Sequence, residues 1–150
     1  MSKQPFTLFK FQQTAIKAAS TQLTDALTDP TVGGAHSDPF KFALKAPTGS
    51  GKTLMMLHTI QNLINALPSL VVLWLASKNL ADQTAQRLAR TFQQQNTPLN
   101  IPFTQITGNS DLQYQPGHLY VVNWEACSTS THLLIRANEQ GLNLSGFLQE

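Results

Sequence analysis

The sequence predicts an α/β layer fold with a mostly parallel sheet. Three observations carry that expectation. Short apolar runs alternate with stretches of helical periodicity along most of the 150 residues. One run, Leu70 to Leu75, is continuously apolar and rich in β-branched and large side chains, the mark of a strand buried on both faces. A third observation is the glycine-rich turn Ala46, Pro47, Thr48, Gly49, Ser50, Gly51, Lys52, Thr53, which sits between an apolar stretch and a helical pattern.

Taken in order, the elements begin with an amphipathic helix over 11–27, where Ile16, Ala19, Leu23 and Leu27 recur at three- and four-residue steps. Asp29 and Pro30 end it, and residues 28–40, rich in turn formers, read as an exposed loop. A strand over 41–45 feeds the glycine-rich turn. A helix follows over 52–67, with Leu57, Ile60, Ile64 and Leu67 in helical spacing until Pro68 stops it. After the strand at 70–75 comes a helix over 79–92, with Leu80, Thr84, Leu88 and Phe92 on one side. The polar stretch 93–98 is a loop, 101–107 a third strand, 108–117 a turn-rich connection and 119–122 a fourth strand. Beyond Cys127 the pattern weakens, and 133–150 has room for one or two short helices.

The glycine-rich turn carries the chemistry. Glycines at 49 and 51 let the backbone turn tightly and bring N–H groups close to phosphate oxygens, and a helix starting at Lys52 aims its positive dipole end at the same anion. In such a loop Lys52 reaches the β- and γ-phosphates, and the Thr53 hydroxyl ligates Mg²⁺. The strict pattern has Gly where this chain has Ala46. These residues therefore predict binding of a nucleoside triphosphate.

Composition narrows the partners little. Ten basic and eight acidic side chains leave a net charge of +2, and the basic residues are scattered, so charge alone does not argue for nucleic acid. The single cysteine, Cys127, excludes an internal disulfide framework and a cysteine-based zinc site within these residues. The histidines at 36, 58, 118 and 132 lack metal spacing and suit surface or core roles. The opening residues lack the apolar run of a signal peptide, and the longest apolar run is too short to span a bilayer, which makes the cytoplasm the expected location, away from membranes.

A phosphate-loop hydrolase also needs a carboxylate at a strand end to hold Mg²⁺. The acids here are Asp25, Asp29, Asp38, Asp82, Asp111, Glu125, Glu139 and Glu150, and none follows a run of about four apolar residues. Glu125 comes nearest, after Asn123 and Trp124, and a surface or helix-start role suits it better than a metal role. The chain ends at Gln149-Glu150 with no helix cap or polar tail, and so reads as cut.

With these residues in view, the chain resembles the N-terminal domain of a superfamily-two helicase, in the branch that contains the helicase (Res) subunits of type III restriction enzymes. Four segments carry the resemblance, which spans roughly residues 8–147. The first is Leu8, Phe9, Lys10, Phe11, Gln12, Gln13, Thr14, Ala15, Ile16, similar to a leader in which an aromatic and a Gln precede an Ala-Ile pair; the family usually has Arg where Phe9 stands. The phosphate loop is the second, and Ala46 is ordinary in that family. The third runs from Leu73 to Gln83 and resembles a strand-to-helix turn laid on a nucleic-acid backbone, with Ala76-Ser77 where Pro-Thr or Pro-Ser is usual. The fourth is Val121, Val122, Asn123, Trp124, Glu125, to which 136–139 and 143–147 add a looser likeness.

The resemblance implies a RecA-like, three-layer P-loop NTPase fold, incomplete in these residues: a leader helix over 1–27, a loop over 28–40 and the P-loop core over 41–150. It implies ATP and Mg²⁺ as cofactors. Gln12, or Gln13 if the register slips by one, would read the adenine edge; Pro47, Thr48, Gly49, Ser50, Gly51, Lys52 and Thr53 would bind the triphosphate and metal. Ser77 and Lys78 would touch the nucleic-acid backbone, DNA in preference to RNA, with Gln83 supporting the turn. A modification or specificity subunit is the implied protein partner. The expected function is thus that of an ATP-binding N-terminal fragment of a DNA helicase or translocase of a restriction or related defence system, with little hydrolysis by the fragment itself. A non-catalytic nucleotide-binding module, complete at 150 residues, and another P-loop enzyme such as a small kinase are the alternatives.

Overall fold

The computed structural model describes residues 7–29, 31, 40–93, 99–106 and 114–123, with backbone alone at 78 and 91–93. Two compact units divide the chain: Met1–Leu70 with Thr91–Asn100, and Val71–Arg90 with Ile101–Glu150.

In the first unit, α1 spans Lys10–Thr28 and α2 spans Lys52–Ala66. α1 buries Gln12, Ile16, Ala19 and Ala26, spaced three, four and seven apart, so one stripe of the helix turns inward. That stripe lies slightly off the expected one: Leu23 is half-buried and Leu27 exposed, because Gln12 and Ala26 take the inward positions instead. The helix stops at Asp29, whose extended backbone (φ −74°, ψ 116°) is the conformation favoured by a residue preceding proline. The Thr31 hydroxyl and N–H both donate to Asp29 Oδ1, at 2.6 and 2.8 Å, and hold that carboxyl below its usual range.

α2 packs on α1 and buries Met55, Leu57, Thr59, Ile60, Leu63 and Ile64, which lie on more than one side of the helix. The buried Thr59 hydroxyl is satisfied by donating to the Met55 carbonyl at 3.0 Å. Asn62 Nδ2 donates to Ser20 Oγ across the pair at 3.1 Å. The Asn100 N–H donates to Gln61 Oε1 at 2.7 Å, which ties the returning chain to α2.

The second unit is a three-stranded parallel sheet with α3. Its strands are β1 (Val71–Ala76), β2 (Phe103–Ile106) and β3 (His118–Asn123), in the order β1-β3-β2, and α3 spans Lys78–Gln93. The register pairs Leu73 with Tyr120, Trp74 with Val121 and Leu75 with Val122 on one side of β3, and Ile106 with Val122 on the other. Successive side chains alternate between the two faces of a strand. One face therefore holds Val71, Leu73, Tyr120, Val122 and Ile106, with Tyr114 packed on it, its ring 5.1 Å from that of Tyr120 and nearly perpendicular. The other face holds Trp74, Leu119, Val121 and Gln105, and Gln105 Nε2 donates to Asp82 Oδ1 of α3 at 2.7 Å. That bond ties α3 to this face, and the helix buries the stripe Ala81, Thr84, Ala85 and Leu88.

Three expectations need correction. The strand buried on both faces is β3, not β1: Leu119, Tyr120, Val121 and Val122 are all buried, whereas β1 is half-buried and Leu75 remains 47 % exposed. Position in the sheet decides this, because among the described residues β3 has a neighbour on each side and β1 has one. Leu80 is exposed, since the inward stripe of α3 is offset by one residue to Ala81. Residues 41–45 alternate exposed with half-buried, as a strand would, yet they join no ladder among the described residues. Alternation was legible there; a pairing partner was not. The expected loop residues 32–39 and 94–98, most of the 108–117 connection, and everything after Asn123 lie outside the described residues, and so does the Phe92 side chain.

Candidate nucleotide site

Residues 41–47 lead into a turn at Thr48 and Gly49, and the chain then enters α2. Gly49 and Gly51 have φ of 81° and 85°, a region where a Cβ is strongly disfavoured, so glycine at both positions is a requirement of this path. Ser50 N–H donates to the Pro47 carbonyl at 3.3 Å and closes the turn. Gly51 then serves as N-cap, its carbonyl accepting from Met55 N–H at 2.9 Å.

Glycine brings no capping side chain, and the first turn of α2 has no acidic residue. The first-turn N–H groups and the positive end of the helix dipole are therefore left without a side-chain counterpart, which is the arrangement that favours an anion. Two further observations fit a polyphosphate. A Cβ built on Gly49 meets no atom within 4 Å, so the space above the turn is open. The Ser50 hydroxyl is buried without a hydrogen-bond partner among the described residues, an arrangement that a ligand oxygen would relieve.

Lys52 is exposed, and its ammonium donates to the carbonyls of Ala46 and Pro47 at 2.9 and 3.0 Å. The positive charge is thus held over the same loop that presents the helix N–H groups. Thr53 follows at the second position of the helix and is half-buried. Pro47 and Thr48 are exposed on the rim of the turn.

Gln12, at the third position of α1, stands against this loop. Its Oε1 accepts from Phe9 N–H at 3.0 Å, and its Nε2 donates to the Ser50 carbonyl at 2.9 Å. Gln13 is exposed and donates to the Leu8 carbonyl at 2.9 Å, so of the two candidates it is Gln12 that meets the phosphate loop. The contact between residues 38 positions apart had no sequence signature: a capping box wants Ser or Thr at the N-cap, and Phe9 stands there.

In the other unit, Ser77 joins β1 to α3 and its carbonyl accepts from Ala81 N–H at 2.8 Å, which places Ser77 at the start of the helix, exposed. Lys78 is the first helical residue, and Gln83 is exposed on the same helix. The Asp82–Gln105 hydrogen bond links α3 to β2, a contact that the sequence did not point to. Of the acids, Asp25 lies on α1, Asp29 at its C-cap and Asp82 on α3; Asp38, Asp111, Glu125, Glu139 and Glu150 lie outside the described residues. Among the described residues no cluster of three or more His, Cys, Asp or Glu is placed to hold a metal, and no helix is long and apolar enough to cross a membrane.

No curated protein and no solved structure matches the chain. A family model does, that of the type III restriction enzyme, res subunit, over residues 5–144. The match runs through the leader, the phosphate loop and the parallel sheet, and agrees with the α/β P-loop architecture seen here. The chain belongs to the family of type III restriction enzyme res subunits, with the ATP-binding domain of a superfamily-two helicase.

Proposed function

We propose that these residues form the ATP-binding part of an ATP-dependent DNA helicase or translocase that serves a restriction-type defence system in the cytoplasm. The observation that carries the reading is the loop from Ala46 to Thr53: two glycines at positive φ, an uncapped helix N-terminus and a lysine folded over the turn. The backbone N–H groups of 48–53 and the Lys52 ammonium hold the triphosphate, and the Thr53 hydroxyl is a ligand for Mg²⁺. Bound Mg²⁺ supplies neutralisation of the charge shared by the β- and γ-phosphates.

Ser77 and Lys78, at the start of α3, contact the DNA backbone, where a helix N-terminus and a cation suit a phosphate. Such contacts position a strand without reading its sequence. A modification or specificity subunit would then choose the site.

Two titrations test this. ATP with Mg²⁺ should bind the chain and lose roughly ten- to a hundredfold in affinity in Lys52→Ala, the worth of charge-assisted hydrogen bonds. Single-stranded DNA should bind with an affinity that falls as salt rises, and Lys78→Ala should lower the salt slope by about one. ATP affinity indifferent to Lys52 would end the phosphate-loop assignment. A chain that binds ATP but ignores DNA would favour a P-loop enzyme of another kind.

A further inference from the structure

Gln12 is 5 % exposed, and its amide is engaged at both ends by this chain. The carbonyl oxygen caps α1 through Phe9 N–H, and the nitrogen holds the Ser50 carbonyl. The same nitrogen would lie 2.7 Å from a Cβ on Gly51, so the amide lies directly against the Ser50–Gly51 peptide. An amide oxygen has two lone pairs and its nitrogen two N–H groups, and one of each is engaged here within the protein.

The hydrogen bond has a directional consequence. A trans peptide is planar, and its C=O and N–H point in opposite directions. With the Ser50 carbonyl drawn to Gln12, the Gly51 N–H must face the other way, off the leader helix. A carbonyl that accepts a hydrogen bond also polarises its peptide, which makes that N–H a better donor. We propose that Gln12 is a positioning residue, which braces the Ser50–Gly51 peptide so that the loop presents its N–H groups to the polyphosphate, and that it acts on every nucleoside triphosphate alike. This rests on the triphosphate-binding reading of the loop. It is a role separate from the adenine reading that the family resemblance implies for Gln12.

The test compares ATP, GTP and inorganic tripolyphosphate, each with Mg²⁺, on the 150-residue chain and on Gln12→Ala. The brace predicts that tripolyphosphate weakens along with the two nucleotides, roughly three- to tenfold from one lost hydrogen bond. Loss confined to ATP would overturn it in favour of adenine reading, and no loss for any ligand would reduce Gln12 to a helix cap. Should Gln12→Ala fail to fold, the side-chain amide resonance of Gln12 in the wild-type chain decides. It should shift on adding tripolyphosphate as it does with ATP and GTP, and a shift with ATP alone, or with none of the bound ligands, overturns the brace. A wild-type chain that does not bind tripolyphosphate at all would instead remove the phosphate-loop reading itself.

Discussion

Lys52 Nζ lies 2.9 Å from the carbonyl oxygen of Ala46, so the first residue of α2 closes back on the residue that opens the loop. The ammonium donates to two carbonyls, those of Ala46 and Pro47, which keeps its charge over the loop. Lys52→Ala removes that charge. Because the side chain is exposed, water can take over both carbonyls, and the thermal midpoint should move little, within about 0.5–1 kcal/mol of stability. Calorimetric titration with tripolyphosphate should show the affinity loss even without a base. A large fall in melting temperature with unchanged affinity would make Lys52 a structural clasp instead.

The two glycines of the loop should differ. Ala at position 49 meets open space and is penalised through its backbone alone, about 1–2 kcal/mol for a left-handed conformation. Ala at position 51 carries the same backbone penalty and also drives its Cβ to 2.7 Å from Gln12 Nε2, which displaces the amide from Ser50. Gly51→Ala should therefore be the more destabilised in urea, and should weaken tripolyphosphate more than Gly49→Ala does. Equal urea midpoints for the two variants would contradict the close packing of Gln12 on Gly51.

Sheet order makes a third prediction. Leu119 is fully buried in β3, the central strand, and Leu119→Ala should cost about 2–5 kcal/mol. Leu75, 47 % exposed near the end of β1, should lose no more than about 1 kcal/mol as Leu75→Ala. The midpoints of chemical denaturation compare them directly. A larger loss at Leu75 would mean that β1, not β3, is the buried centre.

How much of this was legible in the sequence follows from what kind of contact each feature needs. Local features were readable: Gly49 and Gly51 announce the turn, Asp29-Pro30 announces the end of α1, and α2 and α3 came within one or two residues of their bounds. The features that failed depend on partners remote in sequence. Leu70 to Leu75 reads as more buried than Leu119 to Val122 by composition, but which strand sits in the middle is set by pairing, and β3 pairs on both sides. Residues 41–45 have a strand's alternation without a ladder among the described residues. The site shows the same division. Lys52 and the glycines belong to one contiguous loop, whereas the Gln12–Ser50 and Asp82–Gln105 hydrogen bonds join residues 38 and 23 apart and leave no spacing to read.

Stability should depend on pH through His58. The residue is half-buried on α2, its Nε2 is buried without a hydrogen-bond partner among the described residues, and desolvation lowers its pKa from 6.5. His118, half-buried at the start of β3 and 2.9 Å from the Thr104 hydroxyl, is shifted in the same direction by the same cause. For each, the unfolded chain binds a proton more readily than the folded one, so stability rises with pH across the interval below 6.5 and is fully present above it. It falls as pH drops from 6.5 toward the folded pKa, and the slope ends once the folded histidine titrates too. Asp29, with its pKa lowered from 3.8, contributes in a separate and more acidic window. His58→Leu should flatten the dependence of the urea midpoint just below pH 6.5, and leave the more acidic limb as it was. If the midpoint of His58→Leu kept the full wild-type slope in that interval, the imidazole would not be desolvated in the folded chain.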